Sequence, residues 1–139
     1  MRSCSPRRCG ASAVELALVL PMLSLVFVIV VDFARLYYYY SIVTNSARNA
    51  ALYASGTPID QLESPYNSCS DAALAEDAYN LSPQLTISPP YYGTDSSGNS
   101  YVRVTVTYPF TTITHYPGLP NPINLTRTVQ MRMAPLTPN

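Results

Sequence analysis

The chain has 139 residues with 8 basic and 8 acidic side chains, every basic one an arginine, so it is formally neutral at pH 7. Only 12% of its residues are charged against 47% apolar, so a large part of the chain is built to avoid water. Neutrality excludes a nucleic-acid binder, whose affinity rests on clustered basic residues; a single histidine, five glycines and three cysteines leave little for a catalytic triad, a phosphate loop or a four-ligand zinc site. No enzyme activity, cofactor, metal or nucleic-acid partner is therefore expected.

Residues 11–31 read ASAVELALVLPMLSLVFVIVV, with Glu15 the only charge. As a helix this stretch is about 32 Å long, enough to cross a bilayer once. Arg2, Arg7 and Arg8 precede it, and this arginine bias places the N-terminus in the cytoplasm, although Arg35 and Arg48 weaken the asymmetry. A cleaved secretory signal fits less well, because the apolar run is too long and Asp32 stands where a small residue is needed before Ala34. Pro21 reads as a kink of the kind membrane helices tolerate.

Glu15 is costly inside a bilayer unless it is partnered or reaches the interface. One reading keeps it at headgroup level in the first turns of the helix, where the positive end of the macrodipole favours an anion. The other gives it a partner from outside the segment.

The stretch RRCGASAVELALVLP resembles the processing site of type IV pilin-like proteins, a short basic leader ending in glycine followed by a mature segment whose fifth residue is glutamate. More narrowly, VELALVLPMLSLVF followed by TNSARNAALYA is similar to the TadE-like pseudopilins, minor components of the tight-adherence (Flp) pilus; Leu16 departs from the aromatic residue often found after that glutamate. The resemblance implies that residues 1–10 are a leader, that a prepilin peptidase cuts between Gly10 and Ala11, and that Glu15 pairs with the new α-amino group of a neighbouring subunit. Two membrane-buried charges become tolerable when they neutralise each other, and such a pair sets register more reliably than it adds stability. The partners so implied are the peptidase, other pilin or pseudopilin subunits and assembly proteins, and the lipid bilayer.

Beyond the apolar segment, Asp32 and Arg35 stand at i and i+3 on one helix face. The tyrosines from Tyr37 to Tyr40 read as an interfacial belt at the outer membrane boundary. Periodicity continues through Leu36, Tyr40, Val43, Ala47, Ala50, Ala51 and Ala54, and Gly56 and Pro58 end it. The segments expected are thus a transmembrane helix over 11–35 and its extracytoplasmic continuation over 36–56, whose small-residue stripe suits close packing on the chain's own sheet.

From Thr57 onward fall 11 of the 13 prolines, and residues 57–139 read as a small extracytoplasmic domain. Ser70 and Asp71 suggest the start of a short helix over 72–79. A first strand is expected over 84–88 and a turn over 92–99, after which Val102, Val104, Val106 and Tyr108 alternate with polar residues. In the last strand Ile123, Leu125, Val129, Met131 and Met133 share one parity, and Arg127 falls on that parity, at an edge or a bulge. The fold class expected is α+β and pilin-like: a long N-terminal helix on a small three-stranded antiparallel sheet that would be marginal without it.

His115 reads as a loop histidine, no acid following it in the sequence. Cys4 and Cys9 lie in the leader, and Cys69 reads as a buried thiol or an intermolecular bridge. Two function classes follow. One is a structural minor pseudopilin; the other is a single-pass membrane protein whose outer domain binds a ligand or partner.

Overall fold

The computed structural model describes residues 6–134, residues 6–9 and Glu76 through their backbone alone. Arg2 and Cys4 lie outside the described residues, as do the side chains of Arg7, Arg8 and Cys9. Helix α1 runs Pro6–Ser55, 50 residues and about 75 Å. It begins upstream of the expected Ala11 because Pro6 suits a first turn, where a missing N–H breaks no bond. Pro21 lies inside α1 without ending it.

Two halves of this helix meet different surroundings. Residues 10–27 are exposed around the whole circumference, whereas Ile42, Val43, Ala47, Ala50, Ala51 and Ala54 are buried. The apolar half therefore has nothing among the described residues to lie against. The alanine half holds the core, packed on Val102, Val104, Val106, Phe110 and Leu125. Alanine is needed there because the strands approach closely and a larger side chain would push them off.

The sheet is built round β3, Ser100–Phe110, whose inward residues alternate with outward ones as the sequence pattern requires. Along one side lies β4, Ile123–Arg132, antiparallel over the whole length from Tyr101↔Arg132 to Phe110↔Ile123. Along the other side lie two short strands end to end, β1, Thr86–Ile87, and β2, Tyr91–Thr94. Between them the register slips by one residue at Pro89 and Pro90, and the Ser88 amide and hydroxyl both donate to the Thr105 carbonyl at 2.9 Å. The prolines cost no ladder bond on an outer strand. The α+β class and the long helix on a small antiparallel sheet are as expected, with the third strand split in two.

Three local expectations need correction. The turn assigned to 92–99 is shorter, since Tyr91–Thr94 is strand. Gly93 is there because a Cβ would stand 2.7 Å from the Tyr101 ring, and the reversal itself is made by Asp95, whose carboxylate accepts from the Ser97 and Asn99 amides at 2.9 and 2.8 Å, with Gly98 at φ +82°. The helix expected over 72–79 starts earlier and is divided: α3 is Cys69–Ala73, capped by Ser68, whose Oγ accepts from the Asp71 amide at 3.0 Å, and a separate 3-10 turn spans Glu76–Asn80. Finally, the chain after Gly56 forms another helix, α2, Pro58–Glu63. Thr57 and Asp60 cap it reciprocally, and the hydroxyl and amide of Thr57 hold the Asp60 carboxyl below the ordinary aspartate range.

The open C-terminal carbonyls of α1 are met from outside the helix. Ala134 N–H donates to the Ser55 carbonyl at 3.0 Å and Gln61 Nε2 to that of Tyr53 at 3.2 Å. Since Ala50 is fully buried against sheet and α3, Ala50→Leu should overpack this seam and destabilise the outer domain by about 1–3 kcal/mol. The expected result is a lower urea midpoint for the loss of tyrosine near-UV dichroism in detergent micelles; an unchanged midpoint would mean that the helix does not seal the sheet.

Candidate functional site

The described apolar segment carries one carboxylate near each end, and the fold treats them in opposite ways. Glu15 is exposed on the bare part of α1 and has no partner among the described residues. Ala11 stands one helical turn before it on the same face, and Gly10 precedes Ala11 inside the continuous helix, where a Cβ would meet nothing within 4 Å. The residues expected to form the cleavage site and the register device are thus neighbours on an uncovered surface.

Asp32 is only 3% exposed. Its Oδ1 accepts from the Ile113 amide at 2.9 Å and from Arg35 Nη1 at 3.3 Å, and its Oδ2 accepts from the Tyr116 hydroxyl at 3.1 Å and from the Thr114 amide at 3.5 Å. Sequence reading foresaw the Arg35 contact from the spacing of three. It missed the other partners, because they come from a loop more than 80 residues away. Arg35 in turn lies over the Phe110 ring, 5.4 Å from its centroid. Tyr116 has its phenol pushed up, first by desolvation and then by the carboxylate to which it donates.

The run of tyrosines divides at this junction. Tyr37 and Tyr38 are exposed, in keeping with an interfacial belt, but Tyr39 turns inward and stacks on Tyr108 at 5.0 Å. Tyr40 leaves the expected apolar stripe and accepts a hydrogen bond from Arg127 Nη1 at 3.0 Å. That contact explains the arginine on the apolar parity of β4. As an outer strand, β4 lets Arg127 stay exposed while its guanidinium lies 5.7 Å from the Tyr40 ring centroid.

Elsewhere the surface of the domain is mixed, with polar pairs on the sheet and exposed apolar side chains such as Ile59, Leu62 and Ile113. On its outward face Thr105 pairs with Thr128 at 2.8 Å and Thr107 with Thr126 at 3.1 Å, cross-strand contacts that steady the sheet. Cys69 is half-buried, with its thiol directed to the Ala50 carbonyl at 3.5 Å and its ionisation pushed up by burial, which keeps it a thiol. His115 is exposed on the loop that carries Ile113 and Tyr116. A notch of about 610 Å³ at the far end of α1 is lined in part by Tyr53, Gln61, Tyr66 and Arg132.

These features define a class of protein: a small α+β domain carried on a helix whose first half is long and apolar enough to cross a membrane and is covered by nothing else among the described residues. The model of the family described as TadE-like protein matches residues 10–52, which begin at Gly10 and end inside the alanine stripe. Over residues 10–52 the helix is thus similar to that family, as its resemblance implied, and this suggests a protein associated with the tight-adherence pilus. The match stops short of the sheet, and no curated protein and no solved structure matches the chain.

Removing the Asp32 carboxylate leaves two loop amides without an acceptor. In Asp32→Ala the Ile113 and Thr114 amides should exchange with deuterium about tenfold faster or more, while amides of β3 and β4 keep their protection. Equal exchange in both proteins would mean that the loop is held by something other than Asp32.

Proposed function

We propose that the protein is a structural minor pseudopilin of a tight-adherence (Flp) type IV pilus or a related secretion system, acting in pilus assembly without catalysing a reaction. It sits in the bacterial inner membrane by a single span, N-terminus in the cytoplasm and outer domain outside. The observation that carries this reading is an apolar helix left uncovered by the described residues, with a Glu15 that has no partner among them, within the TadE-like segment 10–52. A carboxylate in that position is a lasting cost to a lone subunit and becomes tolerable once another chain supplies a cation.

Processing by a prepilin peptidase between Gly10 and Ala11 supplies that cation. The new α-amino group is positively charged near neutral pH. Donated to the Glu15 of a neighbouring subunit, as the resemblance implies, it forms a pair that sets their stagger along the fibre or assembly complex. Gly10 lies inside a helix, and a peptidase that acts on extended backbone must first unwind this turn; glycine makes the unwinding about 1 kcal/mol easier than alanine does. Gly10→Asp should therefore keep its leader, as intact mass would show, while inserting into membranes as well as the parent. Trimming of that variant at the same bond excludes the pilin-like reading in favour of a plain membrane anchor with a ligand- or partner-binding outer domain.

A further expectation separates register device from tolerated anion. Glu15→Ala should insert into the membrane at least as well as the parent, yet crosslink several-fold less to other pilus components at matched abundance; Glu15→Asp should fall between, its charge kept but its reach shortened. Equal crosslinking of all three proteins would show that Glu15 serves only as a helix-end anion.

A further inference from the structure

The loop joining β3 to β4, residues 111–122, folds back to the level at which α1 leaves its apolar segment. Asp32 directly follows Val31, the last residue of that segment, and it is Asp32 that holds the loop through Ile113, Thr114 and Tyr116. Two features of the loop do not suit a surface meant for water. Ile113 is 59% exposed and Leu119 58% exposed. No Asp, Glu, Lys or Arg stands anywhere between Arg103 and Arg127. The β2–β3 reversal at the other end of the sheet is built on Asp95 with serine and asparagine, although Tyr91 and Tyr92 beside it and Ile59 and Leu62 on α2 are exposed too, so it is the position of the loop beside the apolar segment that sets it apart.

The bonding of Asp32 fits the same picture. A carboxylate at the edge of a bilayer needs donors to replace water, and loop backbone that approaches lipid needs acceptors for its N–H groups. Here each supplies what the other lacks: two amides, a phenol and a guanidinium surround one buried carboxylate. On α1 at this height Val30, Phe33 and Tyr37 are exposed as well. The apolar surface of the span is thus continued sideways by a loop latched to it.

We propose that the β3–β4 loop is a second membrane contact, with Ile113 and Leu119 seated in the interfacial zone of the bilayer from which α1 emerges and Asp32 holding the loop there. This rests on α1 spanning the membrane. The contact adds a second point of support beside the helix and so restrains the tilt of the outer domain against the membrane surface.

The test uses the full chain with its native cysteines replaced by serine, reconstituted in phosphatidylcholine vesicles. A polarity-sensitive dye is attached at Ile113→Cys, Leu119→Cys, Val26→Cys or Ser97→Cys and challenged with lipids carrying a quencher at the headgroup–acyl boundary or deep in the chains. Far-UV dichroism checks that each labelled protein is folded. Val26→Cys should be quenched by the deep probe. Ile113→Cys and Leu119→Cys should be quenched by the shallow probe roughly twofold or more above Ser97→Cys, with blue-shifted emission. If Val26→Cys is quenched but both loop positions behave like Ser97→Cys, the loop faces water and the proposal is overturned while the span stands. Loop quenching that appears only after other pilus proteins are added overturns it too, since the loop then meets a protein. If Val26→Cys also escapes quenching, the spanning reading fails and takes the proposal with it.

Discussion

Everything in this fold depends on one unbroken helix meeting two environments. A sheet whose outer sides are a strand of ten residues and two short pieces buries too little by itself to hold together in water. It gains a core only by lying on the alanine stripe of α1, and that stripe leads directly into a segment with no packing partner among the described residues. Because the helix is continuous, the outer domain cannot be placed independently of the span. The stiffness of some 75 Å of α-helix carries the orientation of one half to the other.

The parts of the structure legible in the sequence are those governed by a single periodicity. Val102, Val104, Val106 and Tyr108 alternate with polar residues, and Val43, Ala47, Ala50 and Ala54 recur at helical spacing; burial follows both patterns. Tyr40 was placed on the buried stripe and Tyr39 turned out to be there, because the aromatic faces of Tyr108 and Phe110 favour the ring that can stack on them. Helix α2 was hidden by its own cap. Gly56 and Pro58 do end α1, and the same Pro58, with Thr57 and Asp60 as a capping box, starts a new helix at once.

The least legible element was the most connected residue. From sequence, Asp32 is half of a local pair with Arg35, and nothing in the spacing tells that the amides of Ile113 and Thr114 will arrive at its other lone pairs. Such a contact has no period, since it is set by where the β3–β4 loop lands once β3 has docked on α1. The candidate cleavage and register residues stand at the other extreme. Gly10, Ala11 and Glu15 were found by motif alone, and the fold adds only that they are uncovered neighbours on one helix.

Under the proposed function, the two acids at the ends of the apolar segment divide the labour of a subunit that has to be both folded and assembled. Asp32 is used up internally: its donors come from its own helix and its own loop, so its charge offers nothing to another chain. Glu15 is left over. Had a residue of the outer domain reached back to neutralise it, the isolated subunit would be more comfortable in the bilayer and would have less reason to seek a neighbour. Keeping the sheet, the loop and the short helices on the second half of α1 leaves residues 10–27 bare of the other described residues, and a bare helix with a charge unsatisfied among them is what a membrane protein presents when its remaining contacts belong to other molecules. With the proposed loop contact the domain would take its height and tilt from the junction at Asp32, and under the proposed function changes in how inner halves pack against one another would be transmitted outward through the helix without refolding the sheet.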